Sequence, residues 1–172
     1  MRVTAQSRLA RCARMLFATG PTGPSADLAS LVLRLALAWI FIYYGASKLF
    51  GAFPDTGGSH GLHDTALFMS QGAHLHPGMF FAVMAGLIEL GGGIAMALGL
   101  LTRLAGLALA GDMVMAIITI TGSEGLNPSG FGTGYQLNLA LAGLALVGAL
   151  IGGGRFSLDA MVGPAIAKPL AR

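Results

Sequence analysis

The chain has 172 residues, of which 55% are hydrophobic and 10% are charged, and its mean hydropathy is +0.75. This composition lies outside the range of soluble domains of this size and predicts a single integral membrane domain. The net charge of +3 is better explained by membrane orientation than by a nucleic-acid partner, which we do not expect. The single cysteine, Cys12, excludes an intramolecular disulfide and a paired-thiol redox motif, so a redox role would need a partner or a cofactor.

Residues 1–27 are predicted to form a basic cytoplasmic segment. Arg8, Arg11 and Arg14 recur every three residues with apolar residues between them. This pattern fits a short amphipathic helix at the membrane surface and fits equally a disordered tail that enforces topology. No uninterrupted apolar stretch lies between the arginines and Pro21, so we do not expect a cleaved signal peptide.

Four continuous apolar runs predict four transmembrane helices, because a bilayer core about 30 Å thick needs roughly 18 to 23 residues. Apolar residues that run continuously, without alternating, also exclude strands. The fold class is therefore an all-α, antiparallel four-helix membrane bundle. The predicted helices cover 28–50, 79–101, 104–121 and 135–152, the outer loops cover 51–78 and 122–134, and a cytoplasmic segment covers 153–172. Thr102 and Arg103 alone would join the second and third helices, which predicts a tight hairpin, and a short helix is expected around 65–70.

Basic residues near the helix ends are strongly asymmetric. Only Lys48 lies at one side, and the positive-inside rule therefore predicts that both termini are cytoplasmic. The four apolar runs predict a multi-pass membrane protein. The eight basic residues on the other side are Arg2, Arg8, Arg11, Arg14, Arg103, Arg155, Lys168 and Arg172.

Three charged residues, Arg34, Glu89 and Asp112, lie inside predicted helices, where each charge costs roughly 2.5 to 3.5 kcal/mol. At about 1.5 Å per residue from the cytoplasmic ends, they lie about 9, 18 and 12 Å deep, respectively. We expect them to face one another rather than lipid. With Lys48, Gln136 and Asn138 they form the candidate intramembrane polar site. It could be a binding site, a proton path or a buried ion pair that fixes helix register.

Each predicted helix also carries a stripe of small or polar residues at spacings of three and four, which lets helices approach closely. We expect these stripes to close the bundle around a polar interior. The stripes are Arg34, Ala38, Phe41, Gly45 and Lys48; Gly86, Glu89, Gly93 and Met96; Ala105, Ala108, Asp112, Met115 and Thr119; and Asn138, Ala142, Ala145, Ala149 and Gly152.

All four histidines fall in the first outer loop, beside Asp55 and Asp64. Pairs at these spacings could share a metal ion, but the loop lacks a demanding metal-binding signature, so we expect no metal site. The absence of a histidine inside a predicted helix argues against a cytochrome. We identify no catalytic residue. The histidines that we considered as metal ligands are His60, His63, His74 and His76.

Three motifs in this order resemble the DoxX family of small membrane proteins, over residues from about Leu31 to Val162. They are Arg34 with the Gly45-Ala-Ser-Lys48 segment, the Glu89-Leu-Gly-Gly-Gly93 segment that continues to Arg103, and the closing Gly-Arg-Phe-Ser-Leu-Asp segment. The motif positions are Gly45, Gly92, Gly99, Thr102, Arg103, Gly154, Arg155, Ser157 and Asp159.

The resemblance implies a four-helix plasma-membrane protein whose relatives are linked to quinone-coupled sulfur oxidation or to complexes that handle oxidative stress. Similar proteins often begin the last helix with Tyr-Glu, whereas this chain has Tyr135-Gln136. Gln136 would still be able to hydrogen-bond Lys48 across the outer end of the bundle. In the closing segment, Ser157 is placed to cap a short helix, and Arg155 to pair with Asp159.

Three functions remain as hypotheses. The first is a redox-associated membrane subunit, non-catalytic on its own, that holds a quinone-like or lipid-like molecule or docks an oxidoreductase. The second is a scaffold in which the charges lock the helices. The third is a small-solute or proton transporter, which would need a homo-oligomer. No cofactor can be identified, and a quinone is the candidate ligand. The expected partners are the lipid bilayer, an oxidoreductase and other copies of the chain.

Overall fold

The computed structural model describes residues 23–53, 61–127 and 134–167. Several sequence predictions lie outside these residues and are not tested by the structure. They concern the amphipathic segment with Arg2, Arg8, Arg11, Cys12 and Arg14, the loop residues Asp55 and His60, and the basic residues Lys168 and Arg172.

The described residues form helices and contain no strand, as the apolar pattern predicts. The chain continues after α2 as a π turn, Phe68–Gly72, and after α4 as a π turn, Ile117–Thr121, and a 3-10 turn, Gly122–Glu124. The helices are α1 (Pro24–Phe50), α2 (Leu62–Leu67), α3 (Gly78–Leu98), α4 (Thr102–Ala116), α5 (Gln136–Ile151) and α6 (Leu158–Ala167).

Three helical segments of the described chain are long and apolar enough to cross a membrane: Pro24–Phe50, Gly78–Leu98 and Thr102–Glu124. The helix α5 is equally apolar in character but has only 16 residues. Three long apolar helices and one shorter one fit a membrane helical bundle. The side of the membrane on which the termini lie stays a prediction.

The first helix begins earlier than its apolar run. Pro24 occupies the first helical turn, where its missing N–H costs no hydrogen bond, so the helix includes the last four residues of the predicted basic segment. One of them is Asp27, which is 4% exposed. The helix ends where Gly51 adopts the left-handed conformation, at φ 66°.

The turn between α3 and α4 also differs from the prediction. The helix α3 ends at Leu98, three residues early, because Gly99 takes a left-handed conformation with φ 64°. Thr102 and Arg103, predicted to be the connection, belong to the first turn of α4. The connection is the tripeptide 99–101, in which Leu101 also has a positive φ, of 49°.

The helices pack as two pairs, α1 with α3 and α4 with α5, and the sequential hairpin of α3 and α4 is less closely packed. Glycine allows both close pairs. A Cβ at Gly45 of α1 would collide with the backbone of Leu90, and a Cβ at Gly106 of α4 would lie 2.6 Å from the carbonyl of Ala145. The predicted hairpin of α3 and α4 forms through this three-residue connection, but each of its helices packs more closely against another helix.

The centre of the bundle is apolar, so the predicted polar interior is wrong. Leu37, Phe41, Met96 and Leu109 are at most 1% exposed and belong to one hydrophobic cluster. The stripe chosen for α4 is the source of the error. Its real buried face includes Leu109 and Met113, whereas Ala108 and Met115 of the predicted stripe are exposed. The polar groups occupy two clusters, one towards each end of the bundle.

Candidate functional site

We call the end of the bundle that holds the start of α1, the α3–α4 turn and the start of α6 the terminal end. The opposite end, with α2 and the connection before α5, is the loop end. The charged residues predicted to form one site divide between these ends, which is the main correction to the sequence analysis.

Arg34 belongs to the terminal end. Its Nη1 donates to the carbonyl of Gly153 at 2.9 Å and its Nη2 to the carbonyl of Phe156 at 2.8 Å. The side chain is 1% exposed. Lys48, which contacts Glu89, lies fourteen residues further along the same helix, or about 21 Å at 1.5 Å per residue. The expectation that Arg34 faces Glu89 and Asp112 is therefore wrong.

The carboxylate of Asp159 is the second fixed group at this end. It accepts hydrogen bonds from the backbone N–H groups of Leu101, at 2.7 Å, and Thr102, at 2.9 Å. These donors begin α4 and have no partner within the helix, and a negative charge is favourable there. The negative charge also lies near the Arg34 guanidinium.

Arg155 pairs with Asp27, which corrects the predicted pair with Asp159. The Asp27 carboxylate accepts from the backbone N–H of Arg155 at 2.9 Å, and its other oxygen lies 4.0 Å from the Arg155 Nε. Ser157 does cap α6, because its hydroxyl accepts from the backbone N–H of Ala160 at 3.2 Å. Ser30 adds a bond from its hydroxyl to the carbonyl of Gly152, at 2.9 Å.

We call Asp27, Ser30, Arg34, Asp159 and the segment 152–157 the terminal cluster. It ties the chain after α5 onto α1 and onto the α3–α4 turn. Sequence reasoning missed Asp27 and Ser30 as members. The available signal was the combination of Pro24 with an acidic residue in the same turn, which is typical of a helix start and places Asp27 inside the helix.

The second cluster lies within the bundle, on the loop-end side of the apolar core. The ammonium of Lys48 bonds both carboxylate oxygens of Glu89, at 2.6 and 2.5 Å, and the Glu89 side chain is 4% exposed. Asp112 completes this group, because its carboxyl is within hydrogen-bonding reach of the Glu89 carboxyl. We call Lys48, Glu89 and Asp112 the triad.

The triad lies inside the bundle rather than at its edge. A Cβ on Gly86 of α3 would meet the side chain of Leu49 of α1, so these two positions are level. From Gly86, α3 extends eight more residues towards the loop end, about 12 Å at 1.5 Å per residue. Lys48 is therefore a half-buried partner of Glu89, with 22% of its side chain exposed.

The triad is electrically balanced if the two carboxyl groups share a proton. Two carboxyl groups can be joined by a hydrogen bond only when one of them is protonated. The cluster then contains one ammonium, one carboxylate and one carboxylic acid. This arrangement offers both a hydrogen-bond donor and an acceptor in a medium from which water is excluded, so it can bind a polar oxygen of a ligand.

The triad lines a cavity of about 460 Å³ between α3 and α4. Among the described residues that line it, Thr119 is the only polar side chain besides the triad, and the others are apolar or glycine. The predicted stripe of α4 faces this cavity: Ala108, Asp112, Met115 and Thr119 all line it. These residues of the predicted α4 stripe therefore line the cavity and do not pack in the core of the bundle.

Two other predicted site residues stand apart from the triad. The Nδ2 of Asn138 donates to the hydroxyl of Thr121 at 3.1 Å, which ties the start of α5 to the end of the α4 segment. Gln136 is exposed and Lys48 is bonded to Glu89, so the predicted bond between Gln136 and Lys48 does not form.

The histidines do not assemble a site. Among the residues that the structure describes, which include His63, His74 and His76, no group of three His, Cys, Asp or Glu side chains is placed to hold a metal ion. His60 lies outside these residues.

A family model described as DoxX matches residues 29–122, which is more than half of the chain. The chain belongs to the DoxX family. A curated protein of Mycobacterium tuberculosis, described as an uncharacterized membrane protein, is 32% identical to this DoxX protein over 155 residues, which cover 85% of each chain. No solved structure gives a significant match to this chain. The family predicted from the sequence motifs is confirmed.

The motif positions of this DoxX protein divide into packing positions and members of the terminal end. Gly45 accommodates Leu90, and Gly92 accommodates the side chain of Leu109, which would lie 2.8 Å from a Cβ. Arg103 donates to the carbonyl of Ala149 at 3.3 Å. The positions gathered at the terminal end are Gly99, Thr102, Gly154, Arg155, Ser157 and Asp159.

Gly99 shows why a larger residue is unsuited to this end. Its φ is 64°, and a Cβ there would collide with the Arg34 guanidinium and lie 2.5 Å from the Cβ of Ser157. The terminal cluster therefore needs glycine at this turn for both conformation and space.

Proposed function

We propose that this DoxX protein is a redox-associated membrane subunit that holds a quinone-like or lipid-like molecule in the cavity between α3 and α4. The main observation in support is that the triad lines this largely apolar cavity, so one ammonium and two carboxyl groups meet in its wall. On this proposal the protein binds and positions the ligand, and an oxidoreductase partner carries out the electron transfer.

The size and lining of the cavity support ligand binding. A volume of about 460 Å³ lies within the range of small-molecule sites, roughly 300 to 1,000 Å³, which are usually apolar with a few converging polar groups. Lys48 can donate a hydrogen bond to a carbonyl oxygen, and a triad carboxylate can accept one from a hydroxyl. A quinone presents the first group and a quinol the second, so both forms of such a carrier match the triad.

The scaffold hypothesis describes the terminal end better than the loop end. Arg34, Asp27 and Asp159 bond to backbone groups of the helix starts and of the segment 152–157, and these contacts hold helices together. A transporter is less well supported, because Leu37, Phe41 and Leu109 form an apolar barrier between the cavity and the terminal end.

The proposal includes a topology. On it, α5 completes an antiparallel four-helix bundle as the fourth span, and both termini lie in the cytoplasm beside the plasma membrane. The basic residues at the terminal end, Arg103 and Arg155 among them, support that orientation through the positive-inside rule. A homo-oligomer and the oxidoreductase partner stay predictions of the same proposal.

The test uses a variant that places a larger side chain in the cavity and leaves every charged residue unchanged. Gly111 lines the cavity, and nothing lies within 4 Å of a Cβ placed on it, so Gly111→Leu projects a side chain into the binding space. Gly143 of α5 has equally open surroundings but lies outside the cavity, so Gly143→Leu is the matched control. Both proteins are purified in lipid nanodiscs and labelled with a photoreactive quinone.

We expect Gly111→Leu to weaken quinone labelling of the cavity by at least about tenfold, while Gly143→Leu labels like the wild type. Mass spectrometry of the labelled peptides identifies the modified residues on α3 and α4. Equal labelling of both variants, or labelling confined to other helices, would overturn the proposal.

A further inference from the structure

The direction from which the cavity is reached indicates the kind of molecule that occupies it. We infer that the cavity opens sideways to the bilayer between α3 and α4 and admits an uncharged molecule with a small oxygen-bearing head and a single apolar tail. This inference rests on the proposed function, since it specifies the ligand class and the route for the same cavity.

The lateral opening is bordered by apolar side chains of two membrane-crossing segments. Phe80 and Met84 of α3 are 57% and 41% exposed, and Leu107 and Met115 of α4 are 56% and 47% exposed. All four also line the cavity. We call them the portal. Because helices of this length and hydropathy lie in the bilayer, side chains that are exposed on them face lipid, and the portal connects lipid with the triad.

The loop end is covered, at least by the residues that the structure describes. The hydroxyl of Thr65 in α2 bonds the carbonyl of Lys48 at 3.2 Å and that of Gly61 at 2.8 Å, which fixes α2 above the end of α1. From the following turn, Met69 lines the cavity and is only 5% exposed. A ligand therefore meets packed side chains on the aqueous side and the portal on the lipid side.

The depth of the triad limits the head of the ligand. Glu89 lies eleven residues from the start of α3, about 16 Å, and Asp112 twelve residues before Glu124, about 18 Å, at 1.5 Å per residue. A hydrocarbon core is about 30 Å thick, so the carboxyl groups lie near its middle. A phospholipid headgroup would have to carry its charge to that depth, which is strongly unfavourable, whereas a carbonyl or hydroxyl group would not.

The charge balance of the triad also favours a ligand with an uncharged head group. One ammonium opposes two neighbouring carboxyl groups, so the triad balances its own charge when one of these carboxyl groups is protonated. An ionised head would leave one charge uncompensated in a medium of low dielectric constant. The cavity of about 460 Å³ has room for a head group and the first part of one tail, and the rest of the tail extends through the portal into lipid.

The experiment compares three photoreactive probes in nanodiscs that contain the full-length protein. The first is a quinone with a ten-carbon tail, the second the same quinone without a tail, and the third a phosphatidylglycerol. Leu107→Trp narrows the portal, and Leu150→Trp is the control, since Leu150 is 73% exposed on α5 and does not line the cavity.

We expect the tailed quinone to label cavity residues, and the labelling rate to fall by about tenfold in Leu107→Trp but not in Leu150→Trp. The inference is overturned if the phosphatidylglycerol labels the cavity as well as the tailed quinone does, if the tail-less quinone labels equally well, or if the two tryptophan variants behave alike. In each of these cases cavity labelling still supports the proposed function. The proposed function itself fails if no probe labels the cavity, or if Gly111→Leu and Gly143→Leu are labelled equally.

Discussion

The Asp159 carboxylate accepts a hydrogen bond of 2.9 Å from the backbone N–H of Thr102, although 57 residues separate them in the chain. In return, the backbone N–H of Asp159 donates to the carbonyl of Gly99 at 2.9 Å. The start of α6 and the start of α4 thereby satisfy each other's backbone groups, which otherwise would lack partners in a region shielded from water. The segment after α5 is thus an integral part of the bundle.

Removal of the Asp159 carboxylate is therefore expected to destabilise the protein. Because Asp159 is 1% exposed and caps α4, Asp159→Ala should lower the free energy of unfolding by about 1 to 2 kcal/mol. Chemical unfolding in mixed detergent micelles measures this difference. Asp64→Ala is the control, since Asp64 also lies in a first helical turn but is exposed. Equal stability of the two variants would contradict the capping role.

The ion pair of the triad should show strong coupling. Lys48→Met leaves the Glu89 carboxyl buried without its cation and is expected to cost about 3 kcal/mol of unfolding free energy. In the double variant Lys48→Met with Glu89→Gln, most of that loss should be recovered, because Asp112 is then the one carboxyl group left and no uncompensated charge remains when it is protonated. A double-mutant cycle measures the coupling free energy directly. Simple additivity of the two single changes would show that the pair does not interact as described.

The separation of the two clusters leads to a different prediction for Arg34. Arg34→Lys cannot reach the carbonyls of both Gly153 and Phe156, so it should reduce the free energy of unfolding by about 1 to 3 kcal/mol. Quinone labelling of the cavity should be unchanged at a temperature at which the variant is folded. A loss of labelling as large as that of Gly111→Leu would indicate that Arg34 contributes to the ligand site after all.

The predicted topology can be measured with single cysteines in a Cys12→Ser background. Ser123 is exposed at the loop end, and Phe156 is 63% exposed at the terminal end. An impermeant maleimide added to intact cells should label Ser123→Cys at once. Labelling of Phe156→Cys should require that the membrane be made permeable. The opposite pattern would reverse the orientation that the positive-inside rule predicts.

Only part of the candidate site could be predicted from the sequence. Apolar runs placed Arg34, Glu89 and Asp112 inside helices, and the cost of a charge in lipid indicated that each needs a partner. That cost does not identify the partner. Arg34 binds carbonyls more than a hundred residues away, in a glycine-rich segment without periodicity, whereas Glu89 binds Lys48 because the glycine contacts of α1 with α3 set their axial offset.

The helix boundaries, too, could be predicted only in part. The apolar runs predicted the positions of the long helices but not their ends. The helix α3 ends at Leu98, because Gly99 adopts a left-handed conformation next to the Arg34 side chain. Asp159 fixes the start of α4 by hydrogen bonds to its backbone. Hydropathy along the chain contains no information about these contacts, since both partners come from distant segments.

The sequence by itself determined that this protein is helical, lies in a membrane and belongs to the DoxX family, because apolar run length and local motifs are properties of neighbouring residues. Only the tertiary structure decided which charges meet, that the core is apolar, and that a cavity lies beside Glu89 and Asp112. These features depend on the rotation and axial offset of each helix against the others. Close contacts set both quantities, and the hydrophobic pattern leaves them undetermined.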